Sequence, residues 1–198
     1  VYSDCCNTVR SAKDAFFPQI EQLMGFSWDG VKLQMTDQRV QPEPFVLFGV
    51  RACDCRSFAL LDRVFLAEPA DSCYQARREQ ALVITMACSA PMETCFCAAF
   101  GIDAADPEGD ITCWKDDATL YWRANTEKGQ ALTQQLPMLQ ACETQPVAAL
   151  QQELRSVLSR LPLANLDLSS FGAGKTQALF EREEWQTLSE ACLGCGTC

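Results

Sequence analysis

Two short, predominantly apolar runs, Phe45–Val50 and Ala81–Met86, are each followed within a few residues by a cysteine. Arg51-Ala52-Cys53 follows the first run and Ala87-Cys88 the second. Neither run alternates with polar residues, and Pro42 and Pro44 set off the first. Continuous apolar runs of this length are predicted to be strands buried on both faces, as in parallel sheets. Between them, Phe58, Leu61, Val64 and Phe65 recur at three- and four-residue steps, which predicts an amphipathic helix over 55–66 with Asp54 as its cap. A short charged helix is expected over 73–80. Strand, helix and strand within roughly forty residues make a βαβ unit, whose strands run parallel. The fold class expected is therefore mixed α/β. Parallel pairing also brings Cys53 and Cys88 to the same carboxyl edge of the sheet, where α/β folds place ligands.

The chain has 13 cysteines and no histidine. Imidazole general bases and histidine-containing metal sites are thereby excluded, and the soft ligand that remains is thiolate, which selects iron–sulfur clusters, zinc or Cu(I). Disulfide frameworks belong to short secreted chains without a sufficient core. This chain is 48% hydrophobic over 198 residues, and its cysteines sit in tight groups, so metal sites are expected instead. Free thiols in number point to a reducing, cytoplasmic compartment.

Three cysteines follow the second run closely: Cys88, Cys95 and Cys97 lie within ten residues, with Pro91 between the first two. An extended Cys95-Phe96-Cys97 would aim its thiols at opposite faces, so a tight turn is predicted. Cys53, Cys88, Cys95 and Cys97 are the candidate ligands of one [4Fe–4S] cluster, with Cys55 as rival to Cys53. A structural zinc site of four thiolates is the alternative, although such sites usually use two C-x-x-C knuckles. A thiol oxidoreductase built on Cys53 and Cys55 is less well matched, because C-x-C is a poor redox dithiol beside C-x-x-C at a helix start. A second group, Cys192, Cys195 and Cys198, has the C-x-x-C-x-x-C spacing that opens a bacterial ferredoxin run.

Elsewhere, a loop into a short helix is expected over 13–24, and a hairpin over 110–123 that turns at Lys115 to Asp117. A helical turn is expected after Cys97 and stopped by Gly101; helices are expected over 126–140, 146–160 and 176–190, with a loop over 162–174. Cys113 falls inside a strand and reads as a core residue. Gly172 to Thr176 fails as a phosphate loop, because Ser169 stands where the pattern needs glycine. The expected organisation is an α/β cluster-binding domain over 1–174 and, over 175–198, a helix leading into the start of a ferredoxin-like domain. The chain starts at Val1 and stops at Cys198 inside a motif, so it is expected to be a fragment. A net charge of -10 disfavours nucleic acid and suits a basic redox partner. No apolar run approaches the ~20 residues of a membrane span. Arg51, Arg77 and Arg78 are candidates to stabilise a reduced cluster, Arg51 above all because it neighbours Cys53.

The elements Phe48 to Asp54, Leu61 to Phe65, Arg77-Arg78-Glu79, Cys95-Phe96-Cys97 and Cys192 to Cys198 together resemble the iron–sulfur β subunits of cytoplasmic sulfhydrogenases. An iron–sulfur component of anaerobic sulfite reductase is similar in pattern. The resemblance runs from about Lys13 onward. It implies a non-catalytic electron-transfer subunit with an N-terminal cluster and a ferredoxin-like domain of two [4Fe–4S] clusters. It also implies a flavin- and NAD(P)-binding reductase partner, and a hydrogenase or sulfite reductase catalytic partner. By position, Cys53, Cys88, Cys95 and Cys97 match the N-terminal ligands, and Cys192, Cys195 and Cys198 the first ferredoxin run. Ala52 stands where the pattern has proline, and Cys55 where it has an apolar residue.

Overall fold

The computed structural model describes residues 10–39, 41–172 and 174–194. The chain divides into two compact units, residues 1–165 and 166–198. The first is a mixed α/β structure. Its strands are β1 (Met24–Trp28), β2 (Leu33–Asp37), β3 (Phe45–Val50), β4 (Ala81–Met86), β5 (Ile111–Lys115) and β6 (Leu120–Ala124). Its helices are α1 (Ala52–Phe65), α2 (Ser72–Gln80), α3 (Glu127–Gln134) and α4 (Gln145–Leu158).

The main sheet has the order β3-β4-β5-β6. β3 pairs parallel with β4, β4 parallel with β5, and β5 antiparallel with β6. The expected βαβ unit and the later hairpin are thus parts of one sheet. β4 is buried on both faces: Ala81 and Val83 join one core cluster, Ile84 and Met86 another. β3 departs from the expectation. It is the edge strand, and Val46 and Phe48 are 51% and 54% exposed while Phe45 and Leu47 pack inward. An apolar run shows that a strand is apolar on both sides, not that something covers both. Gly49, at φ +82°, makes a bulge that shifts the register between Phe48 and Val50. The shift turns Val50 into the core and aims the chain at the start of α1.

Helix α1 begins at Ala52, three residues before the expected start, so both Cys53 and Cys55 lie in its first turn. Arg51 occupies the cap position without a side-chain bond. Asp54 is not the cap; it sits in the first turn, where the exposed N–H groups favour a carboxylate, and accepts from Ser11 Oγ at 3.4 Å. Asp71 caps α2, accepting from the N–H groups of Cys73 and Tyr74.

The first core cluster gathers around Phe16, Phe58 and Tyr74, with the Phe16 and Phe58 rings edge-on at 4.8 Å. The Arg78 guanidinium lies 4.9 Å from the Phe16 ring centre and forks onto Asp62 with two bonds of 2.8 Å. Tyr74 donates its hydroxyl to the same carboxylate at 2.6 Å. The second cluster lies on the other face of the sheet, where Trp122 and Leu132 cover Ile84, Met86, Ile111 and Cys113.

Residues 18–23 form no helix, contrary to expectation, and 24–37 form an antiparallel hairpin. Asp29 Oδ1 accepts from the N–H groups of Val31 and Lys32, and Gly30 takes φ +96°. The Asp29-Gly30 pair between alternating apolar residues is a hairpin signal that outweighs the helical reading. In the second unit, the helix expected over 176–190 is two pieces, a 3₁₀ turn at Gln177–Leu179 and α5 at Glu184–Glu190. Phe180, Trp185 and Leu188 are 75%, 51% and 64% exposed, so the stripe has no core to hold a continuous helix. No described helix is long and apolar enough to cross a membrane.

Burial acts to raise the Asp62 carboxyl, but the Arg78 guanidinium and the Tyr74 hydroxyl outweigh it and hold the group below its ordinary range. A depressed folded pKa contributes stability above the unfolded value, about 3.9, that is lost as pH falls through the folded one. Urea unfolding below about pH 4 should therefore show a larger loss of stability in the native chain than in Asp62→Asn, which lacks this carboxylate's contribution at neutral pH.

Candidate metal centre

The site begins with the ends of two parallel strands. Arg51, just past β3, is 8% exposed, and its Nη1 donates to the Ala87 carbonyl at 3.0 Å, just past β4. This bond ties the two strand ends together and fixes the entry to α1. Cys88 follows, its N–H donating to the Ala104 carbonyl at 3.0 Å. Its side chain packs with Ala52, Ala104 and Leu158, so β4, α1 and α4 meet there.

From Cys88 the chain loops through Pro91 and returns. Cys95 N–H donates to the Met92 carbonyl at 2.9 Å, and Met92 N–H to Cys95 Sγ at 3.3 Å. Phe96 leaves the extended region, at φ -131° and ψ 24°, so Cys95 and Cys97 do not alternate as they would in a strand. Cys97 opens a 3₁₀ turn, Cys97–Phe100, that ends at Gly101 with φ +66°. The Ile102 N–H closes back onto the Cys97 carbonyl at 3.1 Å.

The Cys97 and Cys53 thiols act on each other as hydrogen-bond partners. That bond holds Cys53 down to about 6 and pushes Cys97 up, helped by burial and by the charges of Cys53, Cys95 and Cys88. The four predicted residues therefore lie in one electrostatic neighbourhood. Cys53 is exposed, and Cys88, Cys95 and Cys97 are half-buried.

Cys55 is turned the other way. Its thiol donates to the Glu108 carbonyl at 2.9 Å and packs against the Phe16 and Phe58 cluster. Burial, then the Glu108 charge, pushes it up to about 11. Two residues along a helix turn a side chain by about 200°, which is why Cys53 and Cys55 face opposite sides. Cys113 is fully buried in β5, and burial pushes it up to about 12.

Cys192 is exposed and accepts from the Gly194 N–H at 3.4 Å; Cys195 and Cys198 lie outside the described residues. Among the described residues, no three Cys, Asp or Glu side chains are close enough together to hold a single metal ion. Arg77 pairs with Glu21 and Arg78 with Asp62, so both are engaged in the packing of α2. The bridging role of Arg51 was not read from the sequence. Its signal is a charged residue between a buried strand and a helix, where it must find a carbonyl.

The donor set at this corner is four soft thiols, which fits thiolate-held metal. In the metal-free chain, Arg51→Met should lower the unfolding free energy by about 1.5–3 kcal/mol, the range for a bond to a charged donor, measured by urea denaturation.

Neither a family model nor a solved structure matches the chain. The chain is similar to sulfhydrogenase 2 subunit beta of Pyrococcus furiosus, with 30% identity over 161 residues, 78% of this chain and 46% of the relative. The chain thus spans a little under half the length of that relative. At the level of family, this similarity supports placing the chain among the sulfhydrogenase β subunits.

Proposed function

We propose that the chain is an electron-transfer subunit of a multi-subunit oxidoreductase, and that Cys53, Cys88, Cys95 and Cys97 hold one [4Fe–4S] cluster. The observation that carries the reading is the corner itself: the Arg51–Ala87 bond joins the strand ends that lead into Cys53 and Cys88, and the turn at Cys97 returns the loop there, where the Cys97 thiol feels the charges of Cys53, Cys95 and Cys88. A bound cluster supplies one-electron chemistry at a potential tuned by burial and hydrogen bonds. The chain's own part is to hold the thiols. The Arg51–Ala87 bond sets the spacing of the two strand ends, and the 3₁₀ turn after Phe96 returns Cys97 toward Cys53. The first-turn N–H groups of α1, which lack partners within the helix, favour negative charge at Cys53. Cys55 is a protonated core thiol in this reading, not the fourth ligand.

A cluster accounts for the arrangement better than zinc. Thiolates around one tetrahedral ion at about 2.3 Å must sit under about 4 Å apart. Such sites usually draw on two C-x-x-C knuckles, which Cys53, Cys88, Cys95 and Cys97 do not supply, whereas a four-iron cube takes its thiolates around a larger body.

In the complex, the chain would pass electrons between a reductase partner that binds flavin and NAD(P) and a catalytic hydrogenase or sulfite reductase partner. Similarity to a sulfhydrogenase β subunit supports the electron-transfer role. Cys192, Cys195 and Cys198 would open a ferredoxin-like domain. The 13 cysteines, grouped tightly rather than spread as a disulfide framework, support a reducing, cytoplasmic setting.

Anaerobic reconstitution with iron and sulfide should give a brown chain with about four irons. Alanine at Cys53, Cys88, Cys95 or Cys97 should abolish or convert the cluster. Alanine at Cys55, Cys73, Cys113 or Cys142 should leave iron content unchanged. A colourless chain with one tightly held zinc, or iron that survives Cys53→Ala and disappears in Cys55→Ala, would overturn the assignment.

A further inference from the structure

The hairpin β1–β2 stands apart from the cysteine corner, and its sequence is arranged for a different purpose. Its register sets Phe26 opposite Met35 and Trp28 opposite Leu33. Residues opposite each other in an antiparallel pair share a face, as do residues two apart in a strand. Met24, Phe26, Trp28, Leu33 and Met35 therefore form one apolar face, bounded at the Met24 end by Asp37, which pairs with Arg39, while Gly25, Ser27, Gln34 and Thr36 form the other. Such alternation ordinarily marks a face packed on a core, yet each of the five is between 51% and 68% exposed. The base of the hairpin is anchored: Glu21 pairs with Arg77, and Arg39 Nη1 donates to Ser72 Oγ at 3.4 Å. A groove of about 560 Å³ runs between the hairpin and the start of α2, lined in part by Leu23, Met35 and Cys73.

A two-stranded hairpin is marginally stable in water unless its apolar face is packed against something. Five large side chains at these exposures present on the order of 500 Å² of apolar surface, near the top of what a free monomer shows. Charge says what kind of surface fits. Residues 22–39 carry Asp29 and Asp37 against Lys32 and Arg39, so two negative and two positive charges cancel, within a chain of net charge -10. A neutral apolar face matches a neutral apolar surface, not a basic one. A second copy of the chain would bring another body of charge -10 against the first, which opposes association. A different chain is not bound to that charge.

We propose that the apolar face of β1–β2 is where this chain docks on a neutral, apolar patch of a different subunit of its complex. The proposal rests on the subunit reading above and is independent of the cluster. The test compares amide hydrogen exchange over residues 24–37 in the isolated chain and in the complex purified from the native host through a tag on this chain. The Phe26→Ser, Trp28→Ser double variant is carried alongside. In the complex, exchange over the hairpin should slow by about ten-fold or more. The protection should persist at about 1 M salt, where charge-driven docking is screened. The double variant should come away from the other subunits while keeping its iron. Equal exchange in both states overturns the proposal. So does a variant that keeps its full complement of subunits, or an isolated chain that is a dimer of itself with the hairpin already protected. A native chain that assembles through a protected hairpin but holds no iron would instead defeat the cluster reading and leave this one standing.

Discussion

Parallel pairing of β3 with β4 brings together two chain segments that lie 36 residues apart, Arg51 and Ala87, and a single buried hydrogen bond between them closes the corner. The features of the candidate centre follow from that arrangement. Parallel strands point their carboxyl ends the same way, so the segments that lead into Cys53 and Cys88 leave the same edge of the sheet. The bulge at Gly49 lets the edge strand end its pairing and turn into α1 without losing Val50 from the core. A buried guanidinium is costly unless it finds acceptors, and the Ala87 carbonyl just past β4 supplies one, tying the two strand ends together.

Chemistry at the corner is then decided by helix geometry. Cys53 and Cys55 are the same residue type two positions apart, yet one thiol is held at about 6 and the other at about 11. The difference is one of direction. Cys53 leaves α1 toward the returning loop and meets Cys97, while Cys55 leaves toward the aromatic core and meets a backbone carbonyl. A thiolate-ready group and an inert one are thus made by where the helix begins. The clamp of Arg78 on Asp62 over the Phe16 ring lies on the Cys55 side and belongs to the packing of α2.

Much of this was legible in the residues. Ala81–Met86 is the central buried strand that its apolar run predicts, and the 111–124 hairpin follows from its alternation and its turn. The tight turn demanded by Cys95-Phe96-Cys97 is present, with Gly101 ending it. Other features depend on context that a run of residues does not carry. Phe45–Val50 reads like Ala81–Met86, but edge and centre differ only in what lies beside them. The choice between Cys53 and Cys55 required the start of α1, which Arg51 sets through a tertiary bond and no side-chain cap. The hairpin at 24–37 could have been found from Asp29-Gly30; a helical reading of 19–24 stopped at its edge.

The central claim is that four thiols from two strand ends and one loop hold a single multinuclear cluster. Iron-edge X-ray absorption on the anaerobically reconstituted chain tests it most directly, because it reads both the ligand atoms and the neighbours of each iron. The account predicts iron in an all-sulfur shell with other irons as the next neighbours, and a changed shell in Cys97→Ser. Iron surrounded by oxygen or nitrogen, or isolated iron without iron neighbours, would contradict it.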